Sequence, residues 1–152
     1  MKNHNMAMNM VDVVNPLREA LNEFLIEKTN YADLVVTRYA KHSSSSFPLI
    51  ELKQLNSISG EEDLNRYEQT DILTFELNIY AKSEIIKGEI KTEVEIAEEL
   101  MYLVNEFFDV KFGMRRTLCE PTPNLDRDIY RITMRYTCAY NKRRNKFTRR
   151  WK

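Results

Sequence analysis

Glycine is scarce in this chain, with three in 152 residues. A phosphate-cradling loop needs several glycines in a short span, so that class of nucleotide site is not expected. Cys119 and Cys138 are the only cysteines, and His4 and His42 the only histidines. All four lie far apart in sequence and lack the paired spacing of a zinc site. The two thiols read as reduced rather than as a disulfide. No Ser/His/Asp or Cys/His pattern is supported. His4 falls in the N-terminal stretch and His42 in a polar run, Lys41–Ser46, where solvated side chains are the default. No apolar run approaches the ~20 residues of a membrane-spanning helix. The first ten residues, MKNHNMAMNM, lack the apolar stretch of a signal peptide and read as a flexible leader. No cofactor, metal or membrane role is expected.

Net charge is also missing: 23 basic residues balance 23 acidic ones. The balance hides an asymmetry. The last twelve residues, NKRRNKFTRRWK, hold seven Lys or Arg and no acid, which leaves the body at a formal −7. A basic tail on an acidic body points to a partner, either another copy or a nucleic acid. At this length the chain is one domain. Its expected layout is a leader over 1–10, an α+β domain over 11–140 and a basic tail over 141–152.

Periodicity supplies the elements. Asn15-Pro16 has the form of a helix start. Val14, Leu17, Leu21, Phe24 and Leu25 follow at helical spacing, and the helix is expected to end near Thr29-Asn30. Leu34–Ala40 reads as a short strand and Pro48–Asn56 as a second. Ser57–Asp63 reads as a turn or an extended hairpin tip. Over Arg66–Ala81, Leu73, Phe75, Leu77 and Ile79 alternate with Thr74, Glu76, Asn78 and Tyr80, the period of a strand. Thr92–Asp109 is the clearest helix, opened by a capping box of Thr92 and Glu95. Strands are expected over Phe112–Cys119, opened by Gly113, and over Asp128–Tyr140. The loop between them carries Pro121 and Pro123. Helices segregated from strands give the fold class: α+β, a mainly antiparallel β-sheet with two long helices packed on one face.

Four features invite a chemical reading. Glu51-x-Lys53 on a strand, with Asp33 upstream, is the carboxylate–lysine pattern of some metal-dependent nucleases. The pattern is common by chance, and two residues apart on a strand share a face in any case. Asp126 and Asp128 suit a turn better than a cation site. The basic tail, with Arg143, Arg144, Arg149, Arg150 and Trp151, fits three roles. It suits a phosphate-binding arm with Phe147 and Trp151 stacking on bases, a protein-docking arm, or a solubilising extension. On the polar sheet face, Glu76, Arg131 and Arg135 are expected to point the same way. They pair across the sheet, pair across an interface between copies, or stand in solvent.

The stretch FELNIYAKSEIIKGEIKTEVEIAEELMYLVNEFF, followed by FGMRRTLCEPTPNLDRDIYRITMRYTCAYN, resembles the tail terminator, or tail completion, proteins of tailed bacteriophages. The nearest type is that of phages and prophages of Gram-positive bacteria, often labelled minor capsid or head–tail joining protein. The most telling residues are Asn78–Ala81, the Ile96–Leu100 helix, Met114–Arg116, the Pro121–Asp126 loop and Ile129–Tyr136. The resemblance spans roughly residues 10–141 and is a pattern of elements rather than a functional motif. It implies a structural virion protein and no enzyme. Such proteins form a ring, usually of six copies, at the head-proximal end of the tail tube. The ring stops tube growth and meets the head-completion (connector) protein at the neck. DNA passes through its lumen without sequence-specific binding. The expected location is the virion, with assembly in the host cytoplasm. The expected contact residues are Arg66, Tyr67, Glu68 and Gln69 with the preceding hairpin, the sheet-face trio Glu76, Arg131 and Arg135, and the basic tail. The alternative is a nucleic-acid-binding module that uses the tail.

Overall fold

Strand alternation sorts the side chains of the sheet into two faces, and the helices cover one of them. The computed structural model describes residues 13–39, 46–62, 68–123, 126–141 and 146–148; for 56–62, 68–69 and 146–148 it describes the backbone path. In chain order the elements are α1 (Val14–Lys28), β1 (Val35–Thr37), β2 (Leu49–Glu62), β3 (Glu68–Ala81), β4 (Glu84–Ile86), β5 (Glu89–Lys91), α2 (Glu93–Asn105), a π-helical turn (Glu106–Lys111), β6 (Arg115–Pro121), β7 (Tyr130–Asn141) and β8 (Lys146–Thr148). The main sheet runs β1-β2-β3-β7-β6, with β8 also paired to β7. Among the described residues only the β1–β2 pair is parallel. The expected α+β class, a mainly antiparallel sheet with two helices, is the observed one.

The core lies between that sheet and the helices. Val14, Leu17, Leu21 and Leu25 line the buried stripe of α1, and Ile96, Ala97, Leu100 and Val104 that of α2. They meet Phe75, Leu77 and Ile79 of β3 and Ile132, Met134 and Tyr136 of β7 in one apolar cluster. Each of the larger aliphatic side chains, once out of water, contributes about 1.5–3 kcal/mol.

Several boundaries differ from the sequence expectation. Helix α1 starts before Asn15, at Val14, and its cap position is Val13, which makes no side-chain capping bond. Asn15 is therefore inside the helix. Pro16 sits in the first turn, where a missing N–H costs nothing because those donors have no intrahelical acceptor. Strand β1 is three residues, shorter than Leu34–Ala40. Of the two readings of Ser57–Asp63, the extended hairpin and not the turn is what forms over Ser57–Glu62, the second half of β2, paired with β3 through register shifts near Gln54 and Ser59. The 82–91 stretch, without a sequence assignment, forms the β4–β5 hairpin. Its two-residue turn has φ 54° at Lys87 and 83° at Gly88, the doubly positive φ of a type I′ turn.

Gly113 does not open a strand. It ends the second helix, with φ 69°, a conformation that glycine adopts without Cβ strain. Its N–H donates to the Asp109 carbonyl at 2.8 Å, and the Met114 N–H to Phe108 at 2.9 Å. Both bonds reach one residue further back than in the usual glycine-terminated α-helix. That offset is what the wider π turn before them produces, and it delays β6 to Arg115.

The capping box is present as expected. The Glu95 N–H donates to Thr92 Oγ1 at 3.2 Å, and the Thr92 N–H donates to Glu95 Oε1 at 3.0 Å. Thr92→Ala removes one acceptor at the start of α2 and lowers stability by about 1 kcal/mol in urea unfolding. Thr92→Ser leaves stability within about 0.5 kcal/mol.

Candidate functional site: the outer face of the sheet

The face of the sheet turned away from the helices carries the polar alternates of β2, β3 and β7. Register sets three of them side by side in each of two rows and two in a third. Lys53 lies opposite Glu76, and Glu76 opposite Arg135; Glu51 lies opposite Asn78, and Asn78 opposite Thr133. Tyr80 lies opposite Arg131.

These rows are cross-linked. Arg135 Nε donates to Glu76 Oε2 at 2.8 Å, and Lys53 Nζ stands 3.5 Å from Glu76 Oε1. Asn78 Nδ2 donates to Glu76 Oε1 at 3.4 Å and to Glu51 Oε1 at 3.3 Å. Its Oδ1 accepts from Thr133 Oγ1 at 2.7 Å and from Arg131 Nε and Nη2 at 3.1 and 2.9 Å. Arg131 reaches Asn78 diagonally, one row from its direct partner, and its guanidinium lies 5.4 Å from the centre of the Tyr80 ring.

Asn78, Thr133 and Glu76 are buried, although no helix among the described residues covers this face. The long side chains beside them do the covering, a case of apolar stems shielding polar neighbours. Every hydrogen-bonding atom of the Asn78 amide group has at least one partner, so its burial leaves no polar atom stranded. Burial pushes the Glu76 carboxyl up, but bonds from Arg135 and Asn78 and the charges of Lys53 and Arg135 outweigh it. The net effect holds Glu76 below the ordinary carboxylate value. Tyr80 is pushed up by burial and by the charges of Glu51 and Glu76, against the pull of Arg131.

Of the expected contact residues, the structure brings Glu76 and Arg135 into a direct pair and places Arg131 on the same face, bound to Asn78 rather than to Glu76. Glu68 and Gln69 are the first two residues of β3. Arg66, Tyr67, Arg143, Arg144, Arg149, Arg150 and Trp151 lie outside the described residues. Three residues of the basic tail form β8. Glu51 and Lys53 do share a face, and both are engaged in the network just described. Asp33 sits in the turn before β1. Among the described residues no three His, Cys, Asp or Glu side chains cluster as metal ligands would. The sequence reading missed Asn78 as the centre of the face. Its signal was its position between Glu76 and Tyr80 on the polar side of a period-two strand.

A second built feature joins the β4–β5 hairpin to the body. Lys91 Nζ donates to Glu99 Oε1 at 2.7 Å, and the Tyr31 hydroxyl donates to the same oxygen. Burial, with the Glu99 bond, pushes the Tyr31 phenol up to about 12. The bonds from Lys91 to Glu99 and Tyr31 push the ammonium up as well. Ile86 packs against the core. An isolated two-stranded hairpin is marginal in water, and these contacts fix this one in place.

Chemically, the outer face is a plate of pre-paired charges, suited to a wet, polar contact with another protein surface. No protein-family model matches the chain, and no curated protein matches it.

Proposed function

We propose that this protein is a tail terminator of a tailed bacteriophage. It is a structural subunit that forms a ring, six copies in the expected form, on the head-proximal end of the tail tube. The ring halts tube polymerisation and presents a surface to the head-completion protein, and DNA passes through its lumen. The observation that carries this reading is where the resembling residues fall. Asn78–Ala81 ends β3, and Ile96–Leu100 supplies buried positions of α2. Both stretches thus belong to the packed frame and not to loops, as a shared fold requires. The rigid polar plate around Asn78 gives a non-enzymatic protein a surface whose side chains are already ordered before contact. Such pre-ordering lowers the entropic cost of assembly.

Deleting the gene in its source phage or prophage and imaging the induced lysate by negative-stain electron microscopy tests the proposal. The expected result is tail tubes of uncontrolled length beside DNA-filled heads that carry no tails. Normal-length tails joined to heads would reject it and would bring forward a nucleic-acid-binding role for the tail segment.

A further inference from the structure

The main sheet has an edge strand at β6. Strand order places β6 last, paired with β7 on one side, and among the described residues no strand pairs with its other side. The side chains of Arg115, Arg116, Thr117, Glu120 and Pro121 are exposed, and those of Leu118 and Cys119 half-buried. Such an edge offers backbone N–H and C=O groups to an extended segment of matching pattern. One irregularity sets that pattern. Register along β7 passes from Arg116 opposite Tyr136 to Leu118 opposite Arg135, so Thr117 is an inserted residue, a bulge. Directly opposed residues share a face. Arg115, Leu118 and Glu120 therefore belong to the outer face with Thr137, Arg135 and Thr133, and Arg116 and Cys119 to the helix face with Tyr136 and Met134. Arg116 Nη1 donates to Asn105 of α2 at 3.5 Å and Cys119 packs against the core, as that sorting requires.

A regular strand meets the insertion only by losing one pairing, as β7 does. A second β6 run in reverse carries the same insertion and meets it one to one. Turned about a two-fold axis normal to the sheet, that second β6 is antiparallel to the first and keeps its faces. In the register centred on the bulge, Arg115 lies opposite Glu120 of the second copy on the outer face. Arg116 lies opposite Cys119 of the second copy on the helix face, and Thr117 and Leu118 meet at the centre. Symmetry makes an Arg–Glu pair at each end, and Pro121, which has no N–H, falls outside the ladder. Other registers fit less well. Centring on Leu118 puts Arg116 and Glu120 opposite each other but on different faces. Centring on Cys119 leaves both arginines beyond the end of the partner strand, and centring on Glu120 sets two carboxylates together. The segment that follows β8 in the same chain is a poorer occupant. β8 lies in line with β6 along β7, and Arg149 and Arg150, laid on this edge, would set like charges beside Arg115 and Arg116.

We propose that β6 is a self-pairing edge. Two copies join β6 to β6 about a two-fold axis into one continuous antiparallel sheet, held in register by Arg115 of each copy against Glu120 of the other. The pairing goes beyond the ring reading and does not rest on it. A two-fold pair is closed and adds no third copy through the same edge, so neighbours within a ring meet through other surfaces.

Sedimentation velocity of the full-length chain at low salt, from about 1 µM to about 1 mM, tests the pairing. A monomer–dimer equilibrium is expected. Arg115→Glu and Glu120→Arg each set like charges together at both ends and are expected to weaken the dimer at least about tenfold. Arg115→Glu/Glu120→Arg restores opposite charges and is expected to return it to within about threefold of wild type. Both positions are exposed, and unchanged thermal unfolding of the variants confirms that they fold. The register has its own readout. Under mild oxidation Arg116→Cys is expected to form a disulfide with Cys119 of the second copy, a covalent dimer that Cys119→Ser abolishes. A monomer throughout overturns the proposal, as does an assembly of any size that is indifferent to the single reversals or is not restored by the double one. No tail tube enters these measurements. A monomer with overlong tails on gene deletion removes the pairing and keeps the terminator, and a charge-dependent dimer with normal tails on deletion does the reverse.

Discussion

Phe108→Ala is expected to cost the fold about 4 kcal/mol, the largest single effect among these predictions. Phe108 is fully buried in the π-helical turn. Its ring stacks on Tyr136 with centroids 4.9 Å apart and meets Phe107 edge-on at 5.1 Å. Truncation removes the transfer free energy of the ring and leaves a cavity that the neighbouring strand cannot collapse into, which together cost about 3–5 kcal/mol. Lost ring–ring attraction adds about 1 kcal/mol at most. A domain of this size has about 5–15 kcal/mol in total, so the variant stands near the edge of folding. Urea unfolding followed by circular dichroism measures the effect, with the midpoint falling and the slope unchanged. A loss below about 1 kcal/mol would mean that the aromatic cluster is not packed as described. Phe112→Ala, at a half-buried neighbour, is the internal comparison and costs less.

Phe108 also marks the limit of what could be read from sequence. Its place on an apolar helical face was legible, because the spacing from Ile96 onward holds. The change of helical register at Glu106 was not, since a π turn follows from how Phe107, Phe108 and Gly113 pack rather than from local propensity. The period-two runs of β3 and β7 correctly separated the core side from the polar side. The same period put Glu76, Asn78 and Thr133 on the polar side and left open whether Glu76 pairs or stands in solvent; all three are buried. Their burial depends on which residues lie opposite them, and the pairing of residue 76 with 135 is a long-range fact that neither strand contains alone. The β4–β5 hairpin was missed for a different reason. Its strands are three residues each, too short for a period to register, and Lys87-Gly88 is a weaker turn signal than Asn-Gly. The capping box was legible in full because Thr92 and Glu95 carry their partners within one turn.

Removing the Glu76 carboxylate should cost about 2 kcal/mol and should abolish one step in the acid unfolding profile. Glu76 is buried, and it takes the charges of Arg135 and Lys53 together with an amide bond from Asn78. Deleting one member of a buried ion pair costs about 3–5 kcal/mol when both members are out of water. Here the Arg135 and Lys53 side chains are each 44% exposed, so solvent recovers part of the loss and the cost falls below that range, to about 2 kcal/mol. Glu76→Ala, Arg135→Ala and the double variant form a cycle, with a coupling of about 1 kcal/mol expected from a direct contact. The acid profile gives an independent check. The folded carboxyl is held below its ordinary value of 4.5, so on acidification the unfolded chain takes up this proton before the folded one. The stabilisation is therefore complete above about pH 4.5 and is lost as pH falls through the lower folded value. Glu76→Gln lacks that titration, so the gap between it and the wild type should be constant at neutral pH and shrink below about pH 4.5. A gap that stays constant down to the acid transition would show that Glu76 contributes through shape and hydrogen bonding alone. The outer face would then be held by the amide of Asn78 and its bonds to Arg131 and Thr133, with Arg135 able to exchange its partner for one on a neighbouring surface.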